Sequence, residues 1–244
     1  MDIHIGCSGY NYREWKGMFY PEGLAQSKWL QFYAQHYNAV EINASFYRFP
    51  TEKSLKGWYD KTPEHFHFSL KANNQITHYK KFNHTQDLVN QLYEVAASGL
   101  KEKLDCILFQ LPPSVKYSEA TLQRIVQQLD PAFKNVLEFR DAGWWNNDVY
   151  KVLKHNNIIF CVSSYPGLPD DFVKTADTVY MRLHGKTELY KSNYSDLELH
   201  QLRDSIDESK AKQAFIYFDN TWGGNAIANA VTMQQLMNLN HKAI

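Results

Sequence analysis

The sequence predicts an α/β fold of the (β/α)8, TIM-barrel type: a parallel eight-stranded core with outer helices, in one domain over residues 1–244. Three observations predict it. Short β-branched or aromatic runs alternate with helical patterns eight times, and such alternation implies a parallel sheet. The 244-residue length suits eight such units. The turn after the first run, G-C-S-G-Y, lacks the G-x-G-x-x-G spacing of a doubly wound open sheet.

The elements follow in order. Strand one is I-H-I-G-C, followed by an aromatic loop and a helix through S-K-W-L-Q-F-Y-A-Q-H-Y. Strand two, A-V-E-I-N, precedes a short helix around S-L-K-G-W-Y. Strand three, F-H-F-S-L-K-A, leads through a long loop to the helix D-L-V-N-Q-L-Y-E-V-A-A, which Gly99 is expected to close. Strand four, C-I-L-F-Q-L, stops at Pro112 and Pro113, which cannot continue a ladder. Ser118 then caps a helix whose Leu122, Ile125, Val126 and Leu129 recur at helical spacing. Strand five is N-V-L-E-F-R, with the helix D-V-Y-K-V-L-K-H. Strand six, I-I-F-C-V, runs into S-S-Y-P-G-L-P-D-D, a loop with a poorly defined helix. Strand seven, T-V-Y-M-R-L-H, pairs with D-L-E-L-H-Q-L-R-D-S-I, and strand eight, A-F-I-Y-F-D, with N-A-I-A-N-A-V-T-M-Q-Q-L-M.

Side-chain parity locates the chemistry. Successive strand residues face opposite sides, so in a barrel one parity faces the axis and the other the helices. Glu138 and Arg140 share a parity inside an otherwise apolar strand, while Phe139 takes the other. The same polar parity recurs in Glu41 and Asn43, in His67, Ser69 and Lys71, in Gln110, in Tyr180, Arg182 and His184, and in Tyr217 and Asp219. The charges gather toward the C-terminal strand ends, where barrels carry their sites. Glu41, Glu138 and Asp219 balance Lys71, Arg140 and Arg182 in sign, as a buried network requires. One reading is a salt-bridge network that only supports the barrel; the clustering at one end favours binding or catalysis.

In the functional reading, Arg140, Arg182 and Lys71 hold a small anionic ligand, phosphorylated or carboxylated, because guanidinium binds such groups bidentately. Glu138, His184, Asp219 or Glu41 move protons, His184 as a neutral base if Arg182 lowers its pKa. Gly223 and Gly224 lie where barrels often bind phosphate, against an ordinary glycine turn as the plainer reading. Tyr10 and Trp15, in the ring-dense first loop, would stack on the ligand unless they serve loop packing. His78, in the third loop, is a further candidate. Lys71 would form a Schiff base only if nearby cations depress its pKa; an ion pair with Glu41 would oppose that.

Two other classes compete. No cofactor is expected, but Glu41, Glu138, His184 and Asp219 could ligate a divalent metal for hydrolysis or isomerisation of a sugar or nucleic acid; three neighbouring cations oppose this. The other is a non-catalytic ligand-binding barrel. Equal counts of 26 basic and 26 acidic residues give no global attraction to nucleic acid or acidic membranes. There is no apolar run near the length of a membrane span, and M-D-I-H-I-G lacks the pattern of a secretory signal. Cys7, Cys106 and Cys161 are read as reduced buried thiols of a cytoplasmic protein, with no C-x-x-C pair for zinc.

Several stretches together resemble the family known as domain of unknown function 72, the YecE-like proteins. They are G-C-S-G-Y-N-Y-R-E-W-K-G-M-F-Y-P, V-E-I-N-A-S-F-Y-R-F-P, T-P-E-H-F-H-F-S-L-K-A, I-T-H-Y-K-K, L-F-Q-L-P-P, L-E-F-R, Y-M-R-L-H-G and Y-F-D-N-T-W-G-G-N-A. The resemblance implies a TIM-type barrel and no established reaction. Glu41, Asn43, Lys71, His78, Gln110, Glu138, Arg140, Arg182, His184 and Asn220 fall in its motifs. Two places depart from the family pattern: Ser163 and Ser164 stand where relatives carry an Asp, and D-N-T-W stands where relatives tend toward N-N-D.

Overall fold

The computed structural model describes residues 1–238. Eight strands are present: β1 (Asp2–Cys7), β2 (Ala39–Ile42), β3 (His67–Lys71), β4 (Leu104–Gln110), β5 (Lys134–Glu138), β6 (Ile159–Ser164), β7 (Thr178–Leu183) and β8 (Gln213–Phe218). They pair in parallel in the order β1-β8-β7-β6-β5-β4-β3-β2. Around them lie α1 (Trp29–Tyr33), α2 (Ala44–Tyr47), α3 (Glu52–Tyr59), α4 (Gln86–Leu100), α5 (Glu119–Val126), α6 (Asn147–His155), α7 (Asp196–Glu208) and α8 (Asn225–Leu236).

The parity expected from the sequence sorts two apolar layers. Cys106 and Leu108 of β4, Val136 of β5, Ile159 and Cys161 of β6, Tyr180 of β7, and Phe215 and Tyr217 of β8 form one buried cluster inside the barrel. The opposite parity, such as Ile107, Phe109, Leu137, Met181 and Ile216, packs with helix residues such as Leu92, Leu122 and Leu199 in a larger shell. The three cysteines are free and buried. No helix among the described residues is long and apolar enough to cross a membrane.

The ring nearly closes at β1 and β2, where the only backbone bridge among the described residues is Ser8 to Glu41. Side chains supply the rest of the seam. Asn38 accepts from the Ile5 N–H and donates to the Ile3 carbonyl, both at 2.9 Å. The Tyr33 hydroxyl accepts from the Cys7 N–H at 2.7 Å and donates to the Ala39 carbonyl at 3.1 Å. Gly6 is required here: a Cβ at that position would lie 1.9 Å from the Ala39 carbonyl oxygen.

Some boundaries differ from expectation. Gly99 does not end its helix. It lies inside α4, where its bare Cα lets α3 approach; a Cβ there would sit 2.5 Å from Leu55 Cβ. The turn to left-handed backbone comes at Lys101, with φ 51. The first helix is shorter than its pattern, because a 3-10 turn (Gln26–Lys28) precedes it and it ends at Tyr33. The connection from β6 to β7 carries no helix among the described residues. The long loop after β3 contains a π-helical turn, Gln75–Tyr79, which orients His78.

Candidate functional site

The site is built on Arg182 near the end of β7. Its side chain is 1% exposed, and each of its three nitrogens donates to a carboxylate within the protein. Nε and Nη2 hold the Glu41 carboxylate at 2.8 and 2.7 Å. Nη1 reaches Glu138 Oε2 at 2.7 Å, and Nη2 reaches Asp219 Oδ2 at 3.1 Å. Burial alone would lower the Arg182 pKa, but Glu138, Glu41 and Asp219 raise it well above the usual guanidinium value. The second Glu41 anchor is the Tyr180 hydroxyl, which donates to Oε2 at 2.7 Å.

Glu138 is the other hub. Arg140 Nη2 donates to its Oε1 at 2.6 Å, and Ser163 Oγ donates to the same oxygen at 3.1 Å. Burial opposes its ionisation, yet Arg140, Arg182 and His184 hold its pKa well below the usual carboxylate range. The Nε2 of His184 lies 2.9 Å from Glu138 Oε1, 3.0 Å from Arg140 Nη2 and 3.3 Å from Arg182 Nη1. Its Nδ1 lies 2.9 Å from Asp219 Oδ2, an ion-pair distance without hydrogen-bond alignment. His184 thus links the two carboxylates, with both signs of charge against one ring. Asp219 is also held below its ordinary pKa: burial opposes this, and Arg182 and His184 overcome it.

Outside this network lies an open cavity of about 370 Å³, lined by Tyr12, Asn43, Phe46, Tyr47, Lys71, Arg182, Tyr190, Asp219 and Thr221. Lys71, the last residue of β3, is its unpaired cation. No carboxylate oxygen among the described residues comes within 4.0 Å of its Nζ. Its contact is the face of Phe46, 4.4 Å from the ring centre. Burial, then the charge of Arg182, lowers the Lys71 pKa to about 8. His78 stands edge-on to the same Phe46 ring at 4.8 Å. Burial and the charges of Lys71 and Arg140 lower its pKa to about 4, so it is neutral at pH 7. Ser45 Oγ fixes the strand end by donating toward the Ile42 and Lys71 carbonyls, at 3.0 and 2.6 Å.

The structure therefore brings Glu41, Glu138, Arg140, Arg182, His184 and Asp219 into one network and sets Lys71, Asn43 and His78 beside it. Arg140 stacks on Tyr165 at 4.0 Å, and its buried Nε has no partner. Gln110, at the end of β4, is nearly buried and donates to the Leu111 carbonyl at 3.0 Å. Other candidates lie elsewhere. Trp15 is fully buried and donates to the Thr221 carbonyl at 3.2 Å, and Tyr10 packs against the core; Tyr12 is what this loop presents to the cavity. Gly223 and Gly224 adopt φ 62 and 80 in the turn before α8 and line a separate apolar groove with Met18 and Ile227. Asn220 is buried and ties Ser192 to Asn229, at 3.0 and 2.9 Å. Trp144, in the turn after β5, is fully buried with its ring stacked on Phe139 at 4.2 Å.

Ser8, Tyr190 and Phe46 also contribute and were not among the candidates; Tyr180 was named only for its inward parity and Ser163 only as a departure from the family pattern, without a site role. Ser8 shares the inward parity, which could have found it. Phe46 and Tyr190 sit beyond strand ends, where parity gives no signal. Among the described residues no group of three or more His, Cys, Asp or Glu is arranged to hold a metal ion.

A nearly closed parallel barrel with ionisable groups converging on its C-terminal mouth is a TIM-barrel protein with its polar centre where that fold carries its sites. More particularly, the chain belongs to the family described as Protein of unknown function DUF72, whose model matches residues 4–244. It is similar to UPF0759 protein YunF of Bacillus subtilis (strain 168), 25% identical over 277 aligned positions covering 99% of this chain and 97% of that protein. UPF0759 protein YecE of Escherichia coli (strain K12) is 28% identical over 110 residues, 45% of this chain and 38% of its own. The crystal structure of a DUF72 family protein from Thermotoga maritima MSB8 superposes with a TM-score of 0.88 at 26% identity, covering 98% of this chain and 100% of that one. A DUF72 family protein from Enterococcus faecalis V583 shares the fold, with a TM-score of 0.84 at 20% identity, covering 98% and 97% of the two chains.

Proposed function

We propose that the mouth binds a small anionic metabolite, phosphorylated or carboxylated, and acts on it by acid–base chemistry in the cytoplasm. The observation that carries this is Lys71: a cation without a carboxylate partner, facing an open cavity of about 370 Å³. Arg182 serves the site indirectly. Its donors are taken by Glu41, Glu138 and Asp219, so it fixes the cluster rather than meeting the ligand. Lys71 is the cation lining the cavity that no carboxylate of the network takes up. Asp219 lines the cavity with His184 and Glu138 behind it, so a proton taken by its carboxylate has a route inward. The three buried, unpaired thiols suit a reducing compartment.

The cavity also separates this reading from a purely supporting network, which has no reason to keep an uncommitted ammonium beside an open space. A larger hollow of about 470 Å³ lies against α2 and α3, lined in part by Arg48, Lys53 and Lys61. The test must distinguish the two. Calorimetric titration with phosphate, sugar phosphates and carboxylates is expected to show binding with Kd below about 1 mM. Lys71→Met is expected to weaken it roughly 10-fold or more, and Lys61→Met to leave it unchanged. The reading fails if no anion binds, or if Lys61→Met abolishes binding that Lys71→Met leaves intact.

A further inference from the structure

We infer that Lys71 is an amine nucleophile, and that the anionic metabolite carries a carbonyl group that Lys71 Nζ captures as an imine. This deepens the anion-binding reading and rests on it. Four observations support it.

First, Lys71 sits at the C-terminal end of β3, facing the axis, with its chain direction set by Ser45 on the Lys71 carbonyl. Second, the carboxylates that would hold it as a spectator ammonium are occupied. Glu41 takes Arg182 and Tyr180; Glu138 takes Arg140, Arg182, Ser163 and His184; Asp219 takes Arg182 and His184. The ion pair with Glu41 that would oppose this chemistry is absent, because Arg182 fills that carboxylate. Third, Phe46 covers the ammonium on one side while the cavity opens to it, leaving a path for a ligand. Fourth, the surroundings favour the free amine. Burial and Arg182 lower its pKa against the weaker pull of Glu138, Glu41 and Asp219, from 10.5 to about 8. At pH 7 that raises the unprotonated fraction roughly 300-fold over an ordinary lysine. His78, neutral beside the same Phe46 ring, brings no second positive charge to the ligand's path.

The step balances without an oxidant or reductant. The Nζ lone pair forms a C–N bond to the carbonyl carbon as the C=O π pair moves to oxygen, which takes a proton. The nitrogen of this carbinolamine loses its extra proton; the hydroxyl is then protonated and leaves as water, and the nitrogen lone pair forms the C=N bond. Overall, one neutral amine, one carbonyl and one proton give one iminium and one water. The iminium places one positive charge where the ammonium stood, so the charge balance with Glu41, Glu138, Asp219, Arg140 and Arg182 is preserved. A positive C=N then draws electrons from the adjacent carbon, the property that makes such adducts useful for proton abstraction or C–C cleavage.

The experiment is reductive trapping. The protein is incubated at pH 7.5 with pyruvate, or with dihydroxyacetone phosphate, plus cyanoborohydride, and the adduct is mapped by peptide mass spectrometry. The expected result is one stable adduct on the peptide containing Lys71, formed at least about 10 times faster than on exposed Lys53, and absent from Lys71→Arg. Binding of lactate and glycerol phosphate, which carry the anion without the carbonyl, is measured alongside. If these analogues bind and labelling spares Lys71, the imine inference is overturned and the anion reading stands. If neither the analogues nor the carbonyl probes bind, both are overturned. Lys71→Arg keeps the charge; lactate binding without trapping in that variant shows a folded mouth that has lost only its nucleophile, as inferred.

Discussion

Every nitrogen of Arg182 is committed to a carboxylate inside the protein, and that fixes what its neighbours can do. Three carboxylates, Glu41, Glu138 and Asp219, converge on one guanidinium. Removing it strands Glu41 and Glu138, both fully buried, and leaves Asp219 without its cation at the cavity edge, so Arg182→Ala is expected to destabilise the fold by about 3–5 kcal/mol, read by urea unfolding. A loss under about 1 kcal/mol would show that the carboxylates are not buried against it. The sequence made the residues of this network legible because a charge on a core strand must be paired, and period-two alternation says on which face. It did not show which pairs form. Parity alone left Lys71 as the natural partner of Glu41; the long reach of Arg182 across the barrel takes that carboxylate instead. Aromatic residues were less legible. Trp15 and Tyr12 stand three apart in one loop, and only the packing shows that the first is buried while the second lines the cavity.

Among the elements, the seam between β1 and β2 departs most from a regular barrel. Its ladder is made largely by side chains, so its stability rests on few atoms. Tyr33 on α1 satisfies the Cys7 N–H and meets the Ala39 carbonyl with one buried hydroxyl. Tyr33→Phe leaves the buried N–H without its acceptor and is expected to cost about 1–3 kcal/mol, measured as a lower urea midpoint at constant m-value. Unchanged stability would mean that water or backbone closes the seam instead. The eight strands were legible from apolar runs and their stops, since each must bury its outer face against helices. The seam was not, because nothing in I-H-I-G-C or A-V-E-I-N says that the two strands stop short of a full ladder. Gly99 misled for a related reason. A glycine near a helix end reads as a stop, whereas here it permits the close approach of Leu55.

At the scale of the whole molecule, the barrel gathers residues from β2, β3, β5, β7 and β8, far apart in the chain, around one axis. Its polar end divides into a self-satisfied network and an open cavity beside it. The network explains why the balanced charges are tolerated in a core; the cavity, with the unpaired Lys71 ammonium, is where the proposed chemistry would take place. Both parts were visible in the sequence as one set of inward-facing residues. Their division was not, because it depends on which carboxylate each cation reaches. Lys71 reports on this division directly, through its titration. In protein carrying isotope-labelled lysine, with the Lys71 signal assigned by Lys71→Arg, the NMR midpoint of Lys71 Nζ is expected near pH 8. Added phosphate stabilises the charged form, so the midpoint is expected to move upward as it binds. A midpoint near the ordinary lysine value of about 10.4, unmoved by phosphate, would show a solvated or carboxylate-paired ammonium and contradict the account.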